Sequence, residues 1–148
     1  MQKEVHTDMK KIVIIMGSSS DRSHADKIIQ GLQRAEGYDI STYSIDVYTA
    51  SAHKEPLKVM GILDAHKEEH ALVYITIAGR SNALSGFCAA NSTAPVIACP
   101  PFADKIDMMV NINSTLQMPS RTPVLTVLDP DNAALAAMRI LSLSEGRS

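Results

Sequence analysis

Apolar residues in this chain follow two rhythms, short unbroken runs and helical stripes, and the two alternate along its length. Lys11-Ile12-Val13-Ile14-Ile15-Met16 is a compact apolar run closed by Gly17, the pattern of a strand buried on both faces. Ala25, Ile28, Ile29, Leu32 and Ala35 then recur at the spacing of one helix face, which predicts a helix over 22–36 with Gly37 at its C-terminal cap. Ile40, Tyr43, Ile45 and Val47 alternate with polar residues and predict a second strand from Asp39 to Tyr48. A helix opening at Pro56 and running to Glu69 follows, since proline's fixed φ suits a first turn. Ala71 to Ala78 is a third strand, β-branched and apolar on both faces. A short helix over 82–91, a strand over Pro95–Cys99, a helix over 107–116 and a strand over Pro123–Leu128 complete the series. The alanine-rich stretch Asn132–Leu143 is the closing helix, with Asp129 or Asp131 as its cap.

Strands alternating with helices predict an α/β protein, a central parallel sheet covered by helices on both faces. Right-handed crossovers leave few arrangements, of which a flavodoxin-like three-layer αβα sheet is the first choice. Such sheets bind ligands beyond the carboxyl ends of their strands, near the switch in strand order. Functional residues are therefore expected just after the first three strands.

Composition narrows the function classes. The 148 residues suit a single domain, with its core at about 11–143, and 45% hydrophobic residues are enough to bury that core. A formal charge of −2 offers no basic surface for nucleic acid or for an anionic membrane. The longest apolar run, Ala71–Ala78, falls far short of the roughly 20 residues that span a bilayer. The polar start of the chain lacks a signal peptide's apolar segment, so the expected location is the cytoplasm. Cys88 and Cys99 form no Cys-x-x-Cys pair and read as buried free thiols. Asn91-Ser92-Thr93 and Asn113-Ser114-Thr115 match the glycosylation pattern but carry no meaning without secretion.

Three segments stand where function is expected. Gly17-Ser18-Ser19-Ser20-Asp21 offers hydroxyls and free N–H groups at a helix start, able to hold an anion or simply to cap the helix. An aspartate suits ribose hydroxyls better than a phosphate, which is the expectation for Asp21. Ser51-Ala52-His53-Lys54 supplies a histidine, which titrates near neutrality and can move a proton, beside a cation. Read alone, that pair is equally a solvated loop. Ala78-Gly79-Arg80-Ser81-Asn82 is rich in small residues and donors, and is equally an ordinary strand-to-helix turn. Together on one sheet edge, the three form a pocket with an anion site and a base. From the residues alone, the ligand is a small molecule bearing phosphate, acted on by His53. His6, His24, His66 and His70 receive no role, and no metal-ligand spacing is found.

These segments together resemble the aminoimidazole ribonucleotide carboxylase family of purine biosynthesis, which includes the carboxyaminoimidazole ribonucleotide mutases. The likeness runs from about Lys11 to Leu143 and takes in Met16-Gly17-Ser18-Ser19-Ser20-Asp21, Ser51-Ala52-His53-Lys54 and Ala78-Gly79-Arg80-Ser81-Asn82. It continues through Ala94–Pro101, Leu116–Val124 and the alanine-rich final helix. Lys54 stands where the mutase branch has arginine, the third loop lacks that branch's second histidine, and Cys99-Pro100-Pro101 pairs two prolines. All three features resemble the branch that uses CO2 directly. The resemblance implies that Ser18 and Asp21, with Ser20 nearby, bind the phosphate and ribose. It implies that Ser51, His53 and Lys54 border the imidazole and CO2, with His53 catalytic, and that Gly79, Arg80 and Ser81 complete the pocket. It further implies a small-molecule nucleotide and CO2 as partners, no cofactor, no metal, and a homo-octamer. The mutase reaction and a non-catalytic nucleotide-binding module remain the alternatives.

Overall fold

The computed structural model describes residues 9–145. Five parallel strands form one sheet: β1 (Lys10–Met16), β2 (Tyr43–Thr49), β3 (Leu72–Ile77), β4 (Val96–Ala98) and β5 (Leu125–Thr126), in the spatial order β2-β1-β3-β4-β5. This is the flavodoxin-like order, with the switch between β1 and β3. Five helices connect and close the strands: α1 (Arg22–Gln33), α2 (Pro56–His66), α3 (Ala83–Ala90), α4 (Lys105–Leu116) and α5 (Pro130–Ser142).

Period-two geometry divides the core into two layers. Ile12, Ile14 and Met16 of β1, with Val73, Ile75 and Ile77 of β3, face α1 and α5. Val13 and Ile15, with Leu72 and Tyr74, face α2 and α3. Because both faces are covered, β1 from Ile12 onward and β3 apart from Thr76 are apolar, as their sequences predict. The α1–α5 contact is close because Gly31 lacks a side chain. A Cβ there would lie 2.7 Å from Asp131 Oδ1 and 3.0 Å from the Ala134 Cβ.

Element ends depart from the predicted ones where local hydrogen bonding wins over apolar periodicity. Helix α1 stops at Gln33, capped by Arg34, whose N–H donates to the Gln30 carbonyl; Gly37, at φ +85°, belongs to the following loop. Strand β2 begins at Tyr43, because Asp39 Oδ1 accepts from the Ser41 N–H and winds Ile40–Thr42 into a 3₁₀ turn. Helix α2 ends at His66. Helix α4 starts at Lys105, capped by Asp104, and β5 is only two residues long. Of the two candidate caps for α5, Asp129 serves, accepting from the Asn132 N–H at 2.9 Å.

Register decides where the loops emerge. Met16 pairs with Thr49 on one side and Ile77 on the other, so β1, β2 and β3 end level. The three following loops therefore leave the same edge together.

Candidate functional site

The first loop is anchored by the Gly17 N–H, which donates to the Ile77 carbonyl at 2.9 Å. Ser18 then turns extended and caps a 3₁₀ turn, Ser19–Asp21, its Oγ accepting from the Ser20 N–H at 3.3 Å and lying 2.9 Å from Ser20 Oγ. Asp21 follows at the mouth of α1, half-buried. Burial pushes its carboxyl above the usual 3.8, partly offset by a backbone hydrogen bond at Ser18.

The second loop is tied to β1 by the Ala50 N–H, which donates to the Met16 carbonyl. A tight turn follows: the Lys54 N–H donates to Ser51 Oγ at 3.2 Å and the Glu55 N–H to the Ser51 carbonyl at 2.7 Å. Pro56 cannot donate and opens α2. This turn holds His53 outward, toward the third loop, with Nε2 3.2 Å from the Ser81 carbonyl oxygen. A carbonyl only accepts, so Nε2 is the protonated nitrogen in this contact and Nδ1 is left free to take a proton.

The third loop ends at Asn82, the buried N-cap of α3, whose Oδ1 accepts from the Ser85 N–H at 3.1 Å. Gly79, Arg80 and Ser81 line a cavity of about 120 Å³, together with Ser18 and Asp21 of the first loop and Ser51 and His53 of the second. Small ligand pockets usually run to several hundred Å³, so this cavity is a small one. Wider concavities exist, one of about 530 Å³ at the opposite sheet edge beside Asp64, His70 and Ser92. Size does not choose between them. The smaller one stands over the β1/β3 switch and gathers a carboxylate, an imidazole, a guanidinium and hydroxyls.

Seven of the nine predicted site residues line this cavity: Ser18, Asp21, Ser51, His53, Gly79, Arg80 and Ser81. Ser20 and Lys54 do not; Ser20 reaches it only through the Ser18 hydroxyl, and the Lys54 side chain is exposed beyond the wall. Leu84 lines it without any sequence signal, because its helical spacing marks an ordinary core position. The other histidines lie apart. His24 Nε2 sits 3.5 Å from Cys99 Sγ, and burial, with Lys27 nearby, holds this imidazole below its usual range. His66 is buried at the far edge, 2.9 Å from the Tyr48 hydroxyl, and His6 lies outside the described residues. Both cysteines are buried free thiols, pushed up to about 12 by burial. Among the described residues no cluster of three or more His, Cys, Asp or Glu side chains could hold a metal ion, and no helix is long and apolar enough to cross a membrane.

A flavodoxin-like sheet with a polar cavity over its switch point, lined by an imidazole, a carboxylate and a guanidinium, defines a small-molecule enzyme of the α/β class. Within that class the chain belongs to the AIR carboxylase family, whose model matches residues 11–147. A phosphoribosylaminoimidazole carboxylase of Archaeoglobus fulgidus is 44% identical over 137 residues, covering 91% of this chain and 71% of the relative. An N5-carboxyaminoimidazole ribonucleotide mutase of Methanocaldococcus jannaschii is 40% identical over 136 residues, covering 90% of this chain and 80% of the relative. The crystal structure of Treponema denticola PurE superposes with a TM-score of 0.78 at 42% identity, covering 90% of this chain and 80% of that one.

Proposed function

We propose that the protein is a carboxylase of de novo purine biosynthesis, joining CO2 to C4 of aminoimidazole ribonucleotide to give carboxyaminoimidazole ribonucleotide. The observation that carries this reading is His53, held 3.2 Å from the Ser81 carbonyl in a cavity shared with the serine turn and Arg80. Similarity to a named carboxylase at 44% identity supports it. The aminoimidazole ring is electron-rich, and its π electrons form the new bond from C4 to the carbon of CO2. C4 then carries both hydrogen and carboxylate. His53 takes that proton, and the C–H electron pair returns to the ring and restores aromaticity. General base catalysis of this kind contributes about 10²–10⁴-fold.

The remaining acceleration comes from holding CO2 against the ring, with donors facing the growing carboxylate. Ser18 and Asp21, with Ser20 behind them, bind the phosphate and ribose. Ser51 borders the imidazole and CO2, with Lys54 a cation outside the wall, and Gly79, Arg80 and Ser81 surround the new carboxylate. The scheme uses no biotin, metal or ATP. Run in reverse it is a decarboxylase, so the enzyme is a carboxy-lyase. A cytoplasmic location and a homo-octameric assembly complete the reading, with the chain working as one domain.

His53→Asn should abolish carboxylation while nucleotide binding, measured by calorimetry, is largely kept. Near-normal turnover by that variant removes His53 from the proton transfer. The 40% identity to a mutase favours a second reading, in which N5-carboxyaminoimidazole ribonucleotide is the substrate. Assaying the pure protein with each substrate separates the two, because a mutase gains nothing from bicarbonate or CO2 with aminoimidazole ribonucleotide.

A further inference from the structure

We infer that Asn82 and Ser114 are positioning residues for His53, acting through the peptide plane that joins Ser81 to Asn82. This inference rests on the proposed role of His53 in proton transfer.

The Ser81 carbonyl and the Asn82 N–H belong to one planar, trans peptide unit, so they point in opposite directions and move together. The carbonyl end meets His53 Nε2 at 3.2 Å. The N–H end donates to Ser114 Oγ on α4 at 3.1 Å. Ser114 is itself fixed, its hydroxyl donating to the Asn111 carbonyl at 3.1 Å. The carbonyl also accepts from the Ala83 N–H at 2.8 Å, so that turn and the Ser114 contact aim it together, and the carbonyl selects which nitrogen of His53 keeps the proton.

The Asn82 side chain locks the same plane. A helix cap needs only the Oδ1 contact to the Ser85 N–H. Asn82 does more: it is 5% exposed, and Nδ2 donates both to Ser85 Oγ at 2.8 Å and to Thr115 Oγ1 at 3.0 Å. Ser85 Oγ in turn lies 2.6 Å from Thr76 Oγ1 on β3. The loop that carries the carbonyl is thus fastened to the sheet on one side and to α4 on the other. A buried polar network whose members all find partners rigidifies what it holds. With the Ser114 link cut, the Ala83 N–H is the remaining backbone hold on the plane, and the orientation of the imidazole loosens.

The test compares Ser114→Ala, which removes the N–H acceptor together with its own bond to the Asn111 carbonyl, with Ser114→Thr, which keeps the hydroxyl, and with Asn82→Ala. For Ser114→Ala and Asn82→Ala, kcat should fall by up to about 10²-fold with nucleotide KM little changed, the cost of a small misplacement of a reacting group. Ser114→Thr should retain activity. Nitrogen-15 NMR of histidine-labelled, unliganded protein should show the His53 proton on Nε2 in the wild type, with more of it on Nδ1 in both alanine variants. Unchanged kcat and an unchanged proton distribution in folded Ser114→Ala overturn the inference, as does equal loss of activity in the alanine and threonine variants. If Asn82→Ala fails to fold, Ser114→Ala decides alone, since it removes only two hydrogen bonds, to the Asn82 N–H and the Asn111 carbonyl, at a partly exposed helix position. A wild type without carboxylase activity instead overturns the proposed function, and the NMR comparison still decides the positioning role.

Discussion

Asp21 illustrates what a single site residue costs the fold. Burial raises its carboxyl above 3.8, so the ionised form is less favourable in the folded protein than in the unfolded chain. The sign follows directly: this group favours the fold most below its unfolded pKa, and that contribution is lost as pH rises through the raised folded value. Asparagine at 21 cannot ionise. Asp21→Asn should therefore melt at a higher temperature than wild type at neutral pH, with the gain shrinking as pH falls through the acid range and vanishing below 3.8. Thermal melts across a pH series measure it, and the same variant should bind nucleotide more weakly. The residue type was readable from the sequence as a ribose partner or a helix cap. Its burial was not, because that depends on the neighbouring loops closing over it.

At the scale of the element, helices α1 and α5 meet through one position without a side chain. Alanine at 31 would add helix propensity worth about 1 kcal/mol. Its Cβ would also press on Asp131 and Ala134 at 2.7 and 3.0 Å, in a contact already joined by the Arg34–Asp131 ion pair. Overpacking costs about 1–3 kcal/mol, so Gly31→Ala should lower stability by about 1 kcal/mol net, read as a lower urea midpoint at unchanged slope. Element type was legible throughout, since β1 and β3 carry runs of consecutive apolar residues while α1 and α5 repeat them at helical spacing. The ends were less legible. Asp39 shows why: its carboxylate captures the Ser41 N–H and delays β2 by a few residues, and a local hydrogen bond of that kind leaves no mark on periodicity.

For the molecule as a whole, α4 presents an exposed apolar stripe, with Ile106 74%, Met109 70% and Val110 68% exposed. A contiguous apolar face of this sort is the signature of a contact surface, and it supports the proposed assembly. Met109→Glu should shift the mass measured by light scattering toward the monomer; an unchanged mass puts the contact between copies elsewhere. Through Ser114 and Thr115 the same helix reaches Asn82, so the variant should also lower kcat more than it weakens nucleotide binding. By itself the sequence determined the alternation of strands and helices, the flavodoxin-like sheet and the three loops that line the cavity, because periodicity and turn residues are local properties of the chain. Only the tertiary structure decided which side chains meet. The level ending of Met16, Thr49 and Ile77 brings His53 to Ser81, leaves Lys54 outside the wall and turns Asn82 from a helix cap into a fastening. Such contacts join residues tens of positions apart, and sheet register sets them to within a few ångströms, a distance that no local pattern encodes.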